Sequence, residues 1–230
     1  MRAALLLVLL ALGLAAAGCG GDDDGDGDEP AAEATTSAAT TTAAAADGAC
    51  ATVDQPAPRA DGGATAPEDQ LDANTTYRLV IETNCGSFTI TLDQTSAPET
   101  TASLVSLARE GFFDGTTFHR VVPGFVIQGG DPTGTGTGGP GYQTVDPPPQ
   151  DTAYTRGVVA MAKAGAEPPG TSGSQFFVVT GPDAGLPPDY AVVGTVTAGM
   201  DTVAAIDGLG VGDGPPSMPV VLEKVTVEES

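Results

Sequence analysis

The 230-residue sequence predicts one mostly-β domain behind a long tether, on three observations. First, 32 Gly, 19 Pro and no Trp imply many turns and short segments rather than a long helical bundle. Second, from Tyr77 onward the chain runs in short, β-branched, alternating stretches separated by turn residues. Third, only two stretches there carry a helical pattern. Closing that many short strands into a barrel would remove their exposed edges.

The elements follow in order. Met1-Arg2 and the apolar run AALLLVLLALGLAAA form a charged start and a segment too short to span a bilayer comfortably, so residues 1–18 read as an export signal. The run closes with AAAGC, which resembles the lipobox of bacterial lipoproteins, with Cys19 as the lipidated residue and Ala16 where a Leu usually stands. The rival is ordinary cleavage after Ala15-Ala16-Ala17, leaving Cys19 a free thiol. Lipidation is preferred because an otherwise unexplained cysteine directly follows the apolar run. The expected location is the extracytoplasmic face of a cell membrane, held by lipid.

Residues 19–74 are acidic (GGDDDGDGDEP), then Ala/Thr-rich, then Pro/Asp/Gly-rich, with few large apolar residues to offset the entropy of ordering. They read as a disordered tether with a reach of roughly 40 Å. DDDGDGDE lacks the spaced ligands and closing Glu of a calcium loop.

The domain, 75–230, opens with YRLVIET and SFTITL, a hairpin turning at NCG. SAPETTASLVSLAREG reads as a helix with Ser96 as cap, Pro98 in the first turn and Gly111 as stop. Further strands are expected at 117–121, 125–128, 158–161, 175–179, 191–197 and 220–227, and a weaker helix at 201–206. DPTGTGTGGPGY lacks the Lys-Ser/Thr ending of a P-loop and is not followed by a helical stretch, so it reads as a long turn.

Charge narrows the function. Eight Lys+Arg against 30 Asp+Glu, a net charge of −22, exclude a nucleic-acid binder. Within FHRVVPGFVIQGGD stand the only histidine, His119, with Arg120 beside it and Gln128 among apolar residues. Arg120 and Gln128 are either solvent-facing strand positions or a pair brought together by the Pro123-Gly124 bend. Cys50 and Cys85 follow an export signal and either form a disulfide or remain free thiols.

FHRVVPGFVIQGGD, GVVAMAKAG, TSGSQFFVV and YAVVGTV, in that order, resemble the cyclophilin family of peptidyl-prolyl isomerases, from about Tyr77 to Val227. The resemblance implies a closed eight-stranded antiparallel barrel capped by two helices. It also implies isomerisation of X-Pro bonds in polypeptides, without metal or other cofactor, and matches Arg120 to the catalytic arginine. Phe125, Val126, Phe177 and Leu186 match the walls of a proline pocket, and Tyr190 stands where a rim histidine is usual. Gln128 and Gln175 match polar residues that orient the arginine and contact the substrate. Ala162 and Lys163 match the segment lying along the peptide before the proline, and His119 is assigned a supporting, hydrogen-bonding role. The rim tryptophan of many eukaryotic members has no counterpart near Gly185, which bears on cyclosporin binding more than on catalysis. The expected protein is a monomeric isomerase that assists the folding of exported or envelope proteins; the alternative is a peptide-binding or scaffold module with little turnover.

Overall fold

A computed structural model describes residues 49–230; the apolar leader, Cys19 and the tether up to residue 48 lie outside the described residues. The domain begins with β1 (Tyr77–Thr83) and β2 (Gly86–Leu92), joined by Asn84-Cys85 as the antiparallel hairpin that NCG predicts. Helix α1 (Pro98–Arg109) follows with Pro98 in its first turn. Its N-cap is Ala97 rather than the expected Ser96, because the Ser96 hydroxyl instead donates to Asp93 Oδ2 at 2.6 Å. Gly111, at φ 69°, lies just past the helix end and takes a conformation that side chains resist.

Next come β3 (Arg120–Val122), β4 (Val126–Gly129), the two-residue β5 (Thr144–Val145), β6 (Val158–Met161), the two-residue β7 (Thr171–Ser172), β8 (Phe176–Val179), β9 (Val192–Ala198), α2 (Met200–Asp207) and β10 (Leu222–Glu229). Eight strands form one antiparallel sheet in the order β10-β1-β2-β9-β6-β8-β4-β3, while β5 pairs with β7 separately. That small pair was not foreseen, since two residues carry no periodicity.

The expected closed barrel is corrected. Strands β3 and β10, at the two ends of the sheet, share no ladder; isolated bridges, such as Thr117 with Val221 and Val121 with Gly214, span the seam. The barrel is therefore only half-closed. Strand β3 is three residues long and stops at Pro123-Gly124, and Pro215, Pro216 and Pro219 ahead of β10 have no N–H to give.

Strand alternation separates two apolar clusters. Ile127, Val159, Met161, Phe176 and Val178 face the main core with Phe88, Ile90, Leu104, Leu107 and Ile206 from the hairpin and both helices. Val126, Ala160, Phe177 and Val179 face the other way into a second cluster. This explains why all four residues of β8 are buried: the strand is covered on both faces.

Residues 49–74 correct the tether expectation where it can be seen. Cys50 is bonded to Cys85, and the segment runs as an irregular strap along the domain, with Cys50, Ala64 and Leu71 packed against the main core. It forms no strand. Its hydrogen bonds fall instead on loops: Arg59 N to Pro132 O at 2.9 Å, Gly62 N to Gly139 O at 3.0 Å and Ala64 N to Pro140 O at 3.0 Å. No helix among the described residues is long and apolar enough to cross a membrane.

Candidate active site

The second apolar cluster and a polar row beside it share one face of the sheet. Arg120 of β3 is in register with Gln128 of β4, Gln128 with Phe177 of β8, and Phe177 with Ala160 of β6. The Pro123-Gly124 turn thus brings Arg120 and Gln128 together, and Arg120 Nη1 donates to Gln128 Oε1 at 3.3 Å. Gln128 Nε2 donates to Gln175 Oε1 at 3.0 Å, and Gln175 Nε2 to Gly138 O at 2.9 Å. The arginine is held from its other side by Asp213, and its guanidinium carbon lies 5.9 Å from the Phe125 ring centroid.

The apolar patch beside this row is built from Val126 and Phe177, both buried, with Phe125, Leu186 and Tyr190 partly buried against them. The Phe177 and Tyr190 rings meet edge-on at 5.6 Å. Beneath them Tyr154, only 1% exposed, donates its hydroxyl to Tyr190 O at 2.8 Å and accepts from Tyr190 N at 3.0 Å. Burial raises the Tyr154 phenol pKa, so it stays a neutral donor and acceptor.

A groove of about 660 Å³ adjoins the patch, with Gln128, Ala162, Lys163 and Gln175 on one side and the Gly-rich loop 136–141 on the other. Ala162 belongs to both the groove and the apolar patch. Lys163 is turned onto its own loop: Nζ donates to Glu167 O at 2.9 Å and lies 5.6 Å from the Tyr190 centroid.

Asp131 organises the Gly-rich loop, which is a long turn as read from the sequence. Burial would raise the Asp131 pKa, but the backbone and hydroxyl of Thr133 and the backbone N–H groups of Gly138 and Gly136 outweigh it and hold the carboxyl below its usual range. A Cβ on Gly138 would come within 2.3 Å of Asp131 Oδ1. Gly130, at φ +84°, leaves room for the Ser174 carbonyl, which a Cβ would meet at 2.6 Å.

His119 departs from its expected role. Neither ring nitrogen has a hydrogen-bond partner. Burial lowers its pKa from 6.5 and Arg120 lowers it further; Asp131 and the Thr117 backbone, which lies outside hydrogen-bonding geometry, pull the other way. The ring is a neutral spacer beneath Gly136, whose Cβ position is 3.7 Å from it.

Asp213 and Tyr154 escaped the sequence reading. Asp213 sits between two glycines in a stretch with the composition of any surface loop, and Tyr154 is a lone aromatic among Pro, Asp and Thr. Neither position lies in a periodic segment, so the sequence held no signal that could have found them. No group of three potential metal ligands occurs among the described residues.

A family model described as "Cyclophilin type peptidyl-prolyl cis-trans isomerase/CLD" matches residues 78–227. Peptidyl-prolyl cis-trans isomerase-like 1 of Gibberella zeae is 41% identical over 134 residues, 56% of this chain and 80% of that protein. Peptidyl-prolyl cis-trans isomerase B of Bacillus subtilis is 50% identical over 108 residues, 46% of this chain and 73% of that protein. The probable peptidyl-prolyl cis-trans isomerase B of Mycobacterium tuberculosis is 42% identical over 166 residues, 64% of this chain but only 53% of that protein. Among solved structures, a Cryptosporidium parvum cyclophilin type isomerase superposes with a TM-score of 0.62 at 29% identity, covering 67% of this chain and 99% of that one. The same protein in the presence of the dipeptide Ala-Pro gives a TM-score of 0.61, again at 29% identity, covering 66% and 99%.

Proposed function

This chain belongs to the cyclophilin-type peptidyl-prolyl cis-trans isomerase family and is such an isomerase, and on that premise we propose that Arg120 is its catalytic residue and that its substrates are exported or envelope polypeptides. The observation that carries the assignment is the guanidinium of Arg120, tied by Gln128 and Asp213 at the edge of the apolar patch.

An X-Pro bond isomerises over about 18–20 kcal/mol because twisting it removes amide resonance. Twisting also localises a lone pair on the prolyl nitrogen. A fixed N–H donor over that nitrogen then gains a hydrogen bond that the planar amide cannot offer, so it stabilises the transition state selectively. The guanidinium of Arg120 presents such donors in a rigid fork. Phe125, Val126, Phe177, Leu186 and Tyr190 hold the proline ring and displace water that favours the planar, polar amide. Gln128, Gln175, Ala162 and Lys163 contact the residues preceding the proline in the adjoining groove.

The apolar leader ending at Cys19 supports export and lipid anchoring, and the Cys50–Cys85 disulfide supports an oxidising compartment. Mass spectrometry of the mature N-terminus tests the anchor: a multiply acylated Cys19 is expected, and an unmodified terminus at Gly18 or Cys19 would overturn it. A protease-coupled isomerase assay on an Ala-Pro peptide tests Arg120. Wild-type turnover retained by a folded Arg120→Ala variant would dismiss the assignment and favour a peptide-binding module.

A further inference from the structure

The family match begins at residue 78, yet the wall of the peptide groove does not end with it. Asp61, carried by the strap, lines the groove, and its Oδ1 accepts from Gly139 N at 2.8 Å. Gly62 N donates back to Gly139 O at 3.0 Å and Ala64 N to Pro140 O at 3.0 Å, so strap and loop are joined as a short irregular pair. The two backbones approach closely because both carry glycine. A Cβ on Gly141, at φ +97°, would meet Gly62 Cα at 3.0 Å and Gly63 N at 3.1 Å.

The strap is fixed upstream by the Cys50–Cys85 bond and by Ala51 N donating to Asn84 O at 2.7 Å. The loop it holds leads inward. Gly138, next to Gly139, accepts from Gln175, which accepts from Gln128, which accepts from Arg120. The loop's inner side is pinned by Asp131, and its outer side meets the strap.

We propose that strap residues 59–64, clasped by the Cys50–Cys85 disulfide, position the Gly-rich wall of the groove, and that Asp61 thereby governs how tightly the residues before the proline are held. This rests on the reading that the groove receives those residues. Asp61 acts through Gly139 and is a positioning residue, not a catalytic one. Its side chain is exposed, so its replacement leaves the core intact.

The test uses the whole mature chain with a long peptide carrying four residues before Ala-Pro, and a short peptide carrying none. Asp61→Ala should raise the Kd and KM for the long peptide by about 3- to 10-fold, less than the full worth of one charge-assisted hydrogen bond because Asp61 is exposed and acts on the peptide only through Gly139, with a smaller change in kcat. The short peptide should show a smaller increase. Asp61→Asn keeps an acceptor oxygen and should restore most of the loss. The Cys50→Ser/Cys85→Ser double variant should match Asp61→Ala in long-peptide Kd, and both should lose amide-exchange protection at Gly139. Lost protection with unchanged long-peptide Kd would overturn the proposal by reducing the strap to a structural brace. Equal losses for both peptides, or no rescue by Asp61→Asn, would also overturn it. A wild-type chain that binds the long peptide but shows no turnover would defeat the Arg120 assignment, while the Kd comparison would still decide the role of Asp61.

Discussion

Asp213 takes two of the five N–H groups of Arg120: Nε donates to Oδ1 at 2.6 Å and Nη2 to Oδ2 at 3.2 Å. With Gln128 on Nη1, the fork is held from two sides. The Asp213 side chain is 69% exposed, so the pair adds little to folding stability and its consequence lies in orientation. Asp213 has its pKa lowered by its hydrogen bond and charge interaction with Arg120, so it stays ionised at every pH where the domain would be assayed.

Arg120→Ala should lower kcat/KM by about 10- to 100-fold while circular dichroism stays unchanged, since a charge-assisted hydrogen bond supplies roughly 1.5–3 kcal/mol of transition-state stabilisation. Asp213→Ala should lower it by about 3- to 10-fold with no shift in Tm, through a loosened guanidinium. An Asp213→Ala variant with full activity would mean that Gln128 alone orients the arginine. Arg120→Lys should rescue little, because an ammonium cannot meet Asp213 with two parallel bonds and also reach Gln128.

Two phenylalanines of the apolar patch should separate binding from stability. Phe177 is 4% exposed and fully packed, so Phe177→Ala should destabilise the domain by about 3–5 kcal/mol in urea denaturation as well as weaken peptide binding. Phe125 is only partly buried beside Arg120. Phe125→Ala should raise KM at a much smaller cost in stability, and an equal loss of stability would mark it as core.

His119 is the only imidazole, so a single proton NMR titration reads it directly. Its pKa should lie below 6.5, as burial dictates. The sign follows. A lowered folded pKa means that the unfolded chain binds the proton more readily, so the stability tied to His119 is complete above 6.5 and is lost as pH falls through the lower folded value. His119→Gln should remove that part of the pH dependence of Tm. A His119 titrating above 6.5 would contradict the buried, unpartnered ring.

The Cys50–Cys85 bond closes a loop across a separation of 35 residues. Cys50→Ser/Cys85→Ser should lower unfolding free energy by about 2–4 kcal/mol, chiefly by freeing the unfolded chain. Thiol labelling of the denatured, non-reduced wild-type chain should leave both residues unmodified; modification of both would refute the bond.

The β hairpin, both helices and the short apolar run of β8 were legible because each is local, its signal lying within one or two turns of chain, whereas the sequence left open whether Arg120 and Gln128 face solvent or meet. Five residues from Phe125 to Gly129 suffice to say which side chains share a face. Three things belonged to the tertiary structure alone. The seam between β3 and β10 is half-closed, crossed by isolated bridges such as Thr117 with Val221 and Val121 with Gly214 rather than by a ladder, and these pairings join residues distant in sequence. Residues 49–74 look like tether because they bury few large side chains, yet a disulfide and backbone bonds to loops order them without an apolar pattern. Asp213 reaches Arg120 across 93 residues, and Asp61 reaches Gly139 across 78. Sequence periodicity reports which face a side chain takes within its own element, whereas a polar partner from another loop leaves no period to read, and only the folded chain determines that the two meet.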